Sequence, residues 1–373
     1  MTREAWCQKR EEAIAAFAFC GEAVSCTLYG SGHINDTFLL QVQEKDGIRP
    51  YILQRVNHLI YRDPAAVLEN IARVTEFLQK KVAAAGGDPR REVMNLIPLK
   101  TGGFLFRDSI GAYWRAYQFV SDSICLDRAE TPQDFYESAV AFGTFQRLLA
   151  DYPAETLEET IADFHNTPKR FRDFCRAVKS DPLGRAAQAE PEIRFLMERE
   201  AFTHVLLDAY NKGMLPLRVV HNDTKLNNVM FDRQTRRAVC VIDLDTIMPG
   251  FSVTDFGDSI RFGAATAAED EPDLSLMHFD FSMYQCYTEG FLKGCGGTLT
   301  KSECALLPEG AKMMTLECGM RFLADYLEGD SYFRIAREHQ NLDRCRTQLK
   351  LVAEMEAQWD NMKAFAIACG DRC

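Results

Sequence analysis

The stretch His221-Asn-Asp-Thr-Lys-Leu-Asn-Asn228 places a carboxylate, Asp223, five positions ahead of a carboxamide, Asn228. A second carboxylate, Asp243, follows twenty residues after Asp223 in Val241-Ile-Asp-Leu-Asp-Thr246. Phosphoryl transfer asks for little covalent chemistry from a protein. It needs one carboxylate to orient and deprotonate an acceptor hydroxyl, and oxygen ligands that hold magnesium on the nucleotide phosphates. Asp223 suits the first task; Asn228 and Asp243 suit the second. A single Asn or Asp near a strand end more often just caps a turn, but the ordered set His-x-Asp-x-x-x-x-Asn followed by an apolar pair and Asp carries the functional reading. Asp245 is open to two readings, a second metal ligand or a structural group.

These residues need elements to position them. Val24 to Leu28, Thr37 to Val42 and Pro50 to Arg55 read as three antiparallel strands, the first two joined by Tyr29-Gly-Ser-Gly-His-Ile-Asn-Asp36. An amphipathic helix over Glu4 to Phe19 precedes them. Asp63-Pro64 reads as a cap with Pro at the first helical position, opening a helix over Ala65 to Lys81. Two more strands are expected at Val93 to Leu99 and Tyr113 to Val120, with a hairpin over 101–111 between them. Beyond Thr131 the period is mostly helical: Thr131 to Ala150, Pro191 to Asn211, Phe279 to Lys293, Ala311 to Leu327 and Arg334 to Phe365. One β interruption, Val229 to Phe231 with Ala238 to Ile242, carries Asn228 and Asp243 at its ends. The fold class is therefore α+β, with an N-terminal antiparallel sheet lobe over 1–120 and a mainly helical lobe over 121–373.

The early loop Gly30-Ser-Gly32 lets a backbone approach a polyphosphate closely, with Ser31 between the two glycines. The third strand offers no lysine for the phosphates; it offers Gln54 and Arg55, which face opposite ways, and parity alone does not choose between them. Arg55 has the bidentate phosphate-binding fork. The following helix should supply an acidic partner. Glu69 is the nearest, whereas the apolar spacing puts Asn70 in that slot. Asp255-Phe-Gly257 spells a metal-binding triplet, yet it lies thirty-two residues past Asp223, beyond the hairpin, so Asp255 and Asp258 read as helix caps or braces of the catalytic loop.

The chain resembles the aminoglycoside phosphotransferase and choline kinase superfamily, whose loop and strand-end motifs match His221, Asp223, Asn228, Ile242 and Asp243. A closer resemblance, to the bacterial N-acetylhexosamine 1-kinases, is carried by Gly30 to Thr37, His221 to Asn228, Ile242 to Gly250, Asp255 to Gly263 and Arg321 to Phe333. It implies a protein-kinase-like two-lobed fold, a nucleotide-binding lobe over 1–120, and a catalytic and sugar-binding lobe over 121–373. It further implies ATP as donor with Mg2+, and the anomeric hydroxyl of N-acetylglucosamine or N-acetylgalactosamine as acceptor. His33, Asn35, Arg321 and Tyr332 would then hold the sugar beside Asp223, and backbone groups of Gln118 and Val120 would bind adenine. On spacing alone, Arg321 and Asp325 would be an i, i+4 surface ion pair. Choline-type, thiosugar or aminoglycoside acceptors are the alternatives within the class, and a catalytically inactive binding module the alternative outside it.

Composition bounds the rest. Lys and Arg number 43 against 54 Asp and Glu, a formal charge of −11. That balance argues against nucleic acid or an anionic membrane as partner, and an anionic ligand must be held by a few placed cations, amides or a metal. No window reaches the roughly 18 apolar residues of a membrane span, and the charged start is unlike a signal peptide, so a cytoplasmic enzyme is expected. The 13 cysteines are scattered, without a zinc-like cluster, and are expected to be reduced. The oligomeric state is not legible.

Overall fold

Alternation of apolar residues along the first strands dictates a sheet with one buried face. The structure, a computed structural model, describes residues 3–30 and 34–372, with side chains from Lys9 onward. It divides into two compact units, one of Met1–Ile124, Glu155–Ile161 and Met230–Met248, the other of Cys125–Ala154, Ala162–Val229 and Pro249–Cys373. The chain thus returns twice to its first unit, which a single cut near 120 does not anticipate.

In the first unit, helix α1 (Arg3–Ala16) precedes β1 (Glu22–Leu28), β2 (Asp36–Glu44), β3 (Gly47–Val56), β4 (Phe106–Arg107) and β5 (Tyr113–Gln118), which form an antiparallel sheet in the order β1-β2-β3-β5-β4. Phe38, Leu40 and Val42 alternate onto one face, where they meet Leu53, Trp114, Ala116 and, from α1 and its end, Ala13 and Phe17. Burying each large apolar side chain there contributes about 1.5–3 kcal/mol. Helix α2 (Pro64–Ala84) starts as expected: Asp63 accepts from Ala65 N and Ala66 N at 3.1 and 3.0 Å, with Pro64 at the first position.

One strand was misplaced. After the short helix α3 (Pro89–Glu92), residues 93–99 make only isolated bridges, Leu96 with Tyr117 and Leu99 with Phe17, and the fifth strand is β4, inside the expected hairpin. Two residues account for this. Pro98 lacks the N–H a ladder needs, and the Asn95 side chain folds back to donate to Pro89 O at 2.9 Å and Val93 O at 2.6 Å. The hairpin of β8 (Val229–Asp232) and β9 (Ala238–Val241) forms as expected and joins β6 (Ser123–Cys125) in a three-stranded sheet.

The second unit is helical: α4 (Pro132–Leu148), α5 (Thr167–Ser180), α6 (Glu190–Met197), α7 (Val205–Asn211), α8 (Ser252–Gly263), α9 (Phe281–Cys295), α10 (Lys301–Ala305), α11 (Leu307–Glu328), α12 (Gln340–Ala357) and α13 (Trp359–Gly370), with the short strand β7 (Arg218–Val220) among them. Helices α5 and α10 were not anticipated, and α8 only through the reading of Asp255 and Asp258 as caps; both lie inside it, with Phe251 at its N-cap. The expected helix over 191–211 breaks at Arg199 (φ −110°, ψ 14°), and the one over 334–365 starts only after His339, whose φ of +58° is left-handed, and breaks again at Gln358.

Helices α8 and α11 approach each other through glycine. A Cβ on Gly257 would lie 2.2 Å from Gly310 O, and one on Gly310 would lie 2.0 Å from Val253 O. Backbone cannot yield there. Gly257→Ala is expected to cost about 3 kcal/mol by overpacking, seen as a lower thermal unfolding midpoint, whereas Gly184→Ala, in open space, should lower it less and only through its left-handed φ of +66°.

None of the eleven described cysteine side chains is in a disulfide. Among the described residues no helix is long and apolar enough to cross a membrane.

Candidate active site

β7 delivers the chain into the loop 221–228, and what holds this loop is a row of polar groups on α8. His221 is fully buried between the rings of Phe142 and Phe145, at centroid distances of 5.4 and 6.1 Å. Asn222 takes a left-handed φ of +64°. The Asp255 carboxylate accepts from His221 N and Asn222 N, both at 2.8 Å, and from Gln146 Nε2 at 3.0 Å. Burial pushes Asp255 above its usual range in spite of these donors. Thr224 donates through its hydroxyl to Asp255 O (2.6 Å) and through its backbone to Asp258 Oδ2 (3.2 Å), while Ser259 Oγ donates to Thr224 O at 2.8 Å. Burial works against the Asp258 charge too, but Arg261, Lys225 and His165 outweigh it and hold that carboxylate below its ordinary value. The Asp-Phe-Gly triplet is therefore a brace: Asp255 holds the loop backbone, and Gly257 lets α8 close on α11.

The braced loop presents Asp223, a quarter exposed. Its Oδ1 pairs with Lys225 Nζ at 2.7 Å and its Oδ2 accepts from Asn228 Nδ2 at 3.2 Å; the same nitrogen donates to Asp223 O at 2.8 Å. Partial burial works against the Lys225 ammonium, and the Asp223 charge overrides it, so the lysine stays above its usual value. Lys225 was missed in the sequence, although it stands two positions after the proposed base with the charge a phosphoryl acceptor site needs. With its amide nitrogen committed, Asn228 keeps its Oδ1 without a partner among the described residues. A lone amide oxygen of this kind fits a hard cation. Among the described residues no group of three or more His, Cys, Asp or Glu side chains is placed to hold a metal ion.

On α11 the expected Arg321–Asp325 ion pair is absent. Asp325 is buried and accepts from the backbone N–H groups of Ser331, Tyr332 and Phe333 at 2.9, 2.8 and 2.9 Å and from Asn341 Nδ2 at 2.9 Å. It thereby fixes the loop that carries Tyr332. Arg321 is free to lie over the rings of Tyr332 and Phe333, at 5.8 and 5.4 Å, and Tyr332 is 71% exposed. One turn earlier Glu317 accepts from Thr167 Oγ1 at 2.6 Å and pairs with His165 Nδ1 at 2.9 Å. A cavity of about 320 Å³ in this unit borders the loop at Thr224 and Leu226, with Phe135, Arg261 and Gln348 on its wall.

In the first unit, Asp243 follows β9 with a left-handed φ of +59° and leads into the turn Leu244–Thr246. Asp245 is buried and both of its oxygens are taken, by Arg115 Nη1 and by Asn35 Nδ2, the latter at 2.7 Å. That favours the structural reading of Asp245. Asn35 Oδ1 accepts from Asn57 N at 2.9 Å. On β3, Gln54 is the residue that turns inward; it accepts from Arg115 Nε at 2.9 Å and donates to Thr37 Oγ1 at 2.9 Å. Arg55 turns the other way and pairs with Asp36, its Nε 2.6 Å from Oδ2. Asn70 fills the buried slot on α2, donating to Glu158 O and Ile247 O at 2.8 and 3.1 Å, while Glu69 is exposed. Gly30 has a φ of +78°, which suits glycine; Ser31, Gly32 and His33 lie outside the described residues. Gln118 ends β5, and Val120 packs with Met230 and Cys240 in a small apolar cluster.

Comparison with known proteins bears on the family and the fold. The sequence model of the APH phosphotransferase enzyme family matches residues 25–289. Among solved structures, the fold resembles a microcompartment-associated aminopropanol kinase (TM-score 0.64, 16% identity, 96% of this chain and 98% of that one). It also resembles choline kinase from Cryptosporidium parvum (0.53, 12% identity, 90% of each chain). A third is the spectinomycin phosphotransferase APH(9)-Ia, solved with ADP and spectinomycin (0.52, 12% identity, 97% of each chain).

Proposed function

Because this protein belongs to the phosphotransferase enzyme family, we propose that it transfers the γ-phosphoryl group of ATP to the anomeric hydroxyl of an N-acetylhexosamine, N-acetylglucosamine or N-acetylgalactosamine, giving the sugar 1-phosphate. The observation that carries this reading is the braced loop, which holds Asp223 in the open with a cation and an amide on its two oxygens. Asp223 orients the acceptor hydroxyl and takes its proton. An anomeric hydroxyl is more acidic than an ordinary alcohol, which eases its deprotonation by a carboxylate. Lys225 offsets negative charge as the phosphoryl group arrives. Asn228 Oδ1 and Asp243 are the protein oxygens assigned to Mg2+, which would neutralise charge on the nucleotide phosphates. Backbone amides of the Gly30, Ser31 and Gly32 loop meet the phosphates, and Gln118 and Val120 meet adenine.

The acceptor falls to Arg321 and Tyr332, with His33 and the remaining N–H of Asn35 added by the resemblance. A cationic acceptor such as choline or an aminoglycoside needs an available carboxylate or an aromatic cage. The carboxylates one turn to either side of Arg321 on α11, Glu317 and Asp325, are already spent on internal donors, which favours a neutral, hydroxyl-rich acceptor. Arg321→Ala is expected to raise the sugar KM about tenfold, the loss of one charge-assisted hydrogen bond, with the ATP KM unmoved. ADP release across a panel of N-acetylhexosamines, plain hexoses and amino alcohols tests the class of acceptor. Turnover restricted to amino alcohols would overturn it.

A further inference from the structure

The third strand of the sheet lacks a lysine, and the nucleotide phosphates require a cation in a protein of charge −11. We infer that Arg115, on β5, is that cation; the inference rests on the nucleotide-dependent reading above and names the residue that reading leaves open. Arg115 belongs to no motif, and the structure distinguishes it from Arg55 in three respects.

The first is burial and restraint. The Arg115 side chain is 3% exposed against 32% for Arg55. Its Nε donates to Gln54 Oε1 at 2.9 Å and its Nη1 to Asp245 Oδ1, so the plane of the guanidinium is set by two acceptors on different elements. Arg55 instead lies on the other side of β3, with Asp36 Oδ2 as one of its partners.

The second is what remains open. Arg115 Nη2 donates to no described residue, and it is not one of the buried polar atoms left without a partner, so it stays open to a ligand. A phosphate oxygen would fill that place with a charge-assisted bond. Burial alone would push the guanidinium down, and the Asp245 carboxylate, with Tyr117 and Asp243 nearby, keeps it charged and above its ordinary value.

The third is connection to the loop. Asn35, the last residue before β2 on the loop that opens at Gly30, donates to the other oxygen of Asp245. One carboxylate therefore anchors both the exit of the expected phosphate loop and the arginine. This reproduces, with an arginine on β5 and an aspartate in the turn after β9, the logic of a phosphate-binding cation steadied by a carboxylate. Asn70, neutral and saturated by backbone, takes no part in it.

The test is calorimetric binding of ADP with saturating Mg2+, and of adenosine, to the full-length protein. Removing one partner of a buried pair risks unfolding, so the main variant is the double Arg115→Gln/Asp245→Asn, which removes both charges together. Arg115→Lys, which keeps the charge and loses the fork, is measured beside it, and Arg55→Gln serves for comparison. The expected result is at least a tenfold loss of ADP affinity in the double variant, a smaller loss in Arg115→Lys, a loss in Arg55→Gln that is smaller than that of the double variant, and adenosine affinity unmoved throughout. Equal weakening of ADP and adenosine would reduce Arg115 to a structural residue, and a larger loss in Arg55→Gln than in the double variant would return the role to Arg55. If the parent protein binds adenosine and ADP alike, no cation holds phosphates and the assignment falls; if it binds neither, the nucleotide-dependent reading falls first.

Discussion

Asp223→Asn is expected to fold as the parent does and to turn over about 1,000-fold more slowly, within the 10²–10⁴-fold range that a positioned general base contributes. Asparagine keeps the shape of the side chain and can still accept from Asn228 Nδ2, but it cannot take the acceptor proton, and it leaves Lys225 without its counter-charge. Because Asp223 is a quarter exposed, no buried donor is orphaned and the unfolding midpoint should hardly move. The sugar KM should also change little, since the contribution is made in the transition state. Single-turnover kinetics at saturating ATP separate the two parameters. A variant whose only defect is a raised KM would remove Asp223 from the role of base.

Asp255→Ala should behave in the opposite way. The carboxylate accepts from two backbone N–H groups of the loop and from Gln146 Nε2, all buried. Removing it leaves three donors unsatisfied at about 1–3 kcal/mol each, a loss of about 4 kcal/mol after partial relaxation, against a total stability of roughly 5–15 kcal/mol for a domain. Urea unfolding should show the midpoint falling sharply. Activity per folded molecule should fall as well, through misplacement of Asp223. If Asp255→Ala keeps the parent midpoint and loses only metal dependence, the triplet is a metal site after all and the brace is wrong.

The two variants also show which parts of the molecule are legible in a sequence. Asp223 and Asn228 sit within one short block, so spacing alone brings them together, and the structure has Asn228 Nδ2 bonded to Asp223; Lys225 of the same block, which pairs with Asp223, was missed because it belongs to no motif position. The sheet was legible for a similar reason: β2 carries Phe38, Leu40 and Val42 at every second position, β3 carries the apolar run Tyr51 to Leu53, and turn residues separate the strands. Arg115 was not, because its partner Asp245 is 130 residues away in the chain and the pairing depends on sheet register, Gln54 opposite Arg115. Parity places Gln54 and Arg55 on opposite faces but does not say which face is buried; that is decided by the cluster around Arg115. Asp325 misled for a different reason. Its i, i+4 spacing to Arg321 is real, but three backbone N–H groups of the following loop reach the carboxylate instead, and loop geometry leaves no periodic trace. At 93–99 the apolar content argued for a strand, while Pro98 and the folded-back Asn95 prevent a ladder from forming.

The central claim is the chemistry at the anomeric oxygen, and phosphorus NMR of the product formed from ATP and N-acetylglucosamine or N-acetylgalactosamine tests it most directly. The expected spectrum shows a phosphate monoester coupled to the anomeric proton, together with stoichiometric ADP. An ester on any other hydroxyl, or no sugar phosphate from either N-acetylhexosamine, would contradict it.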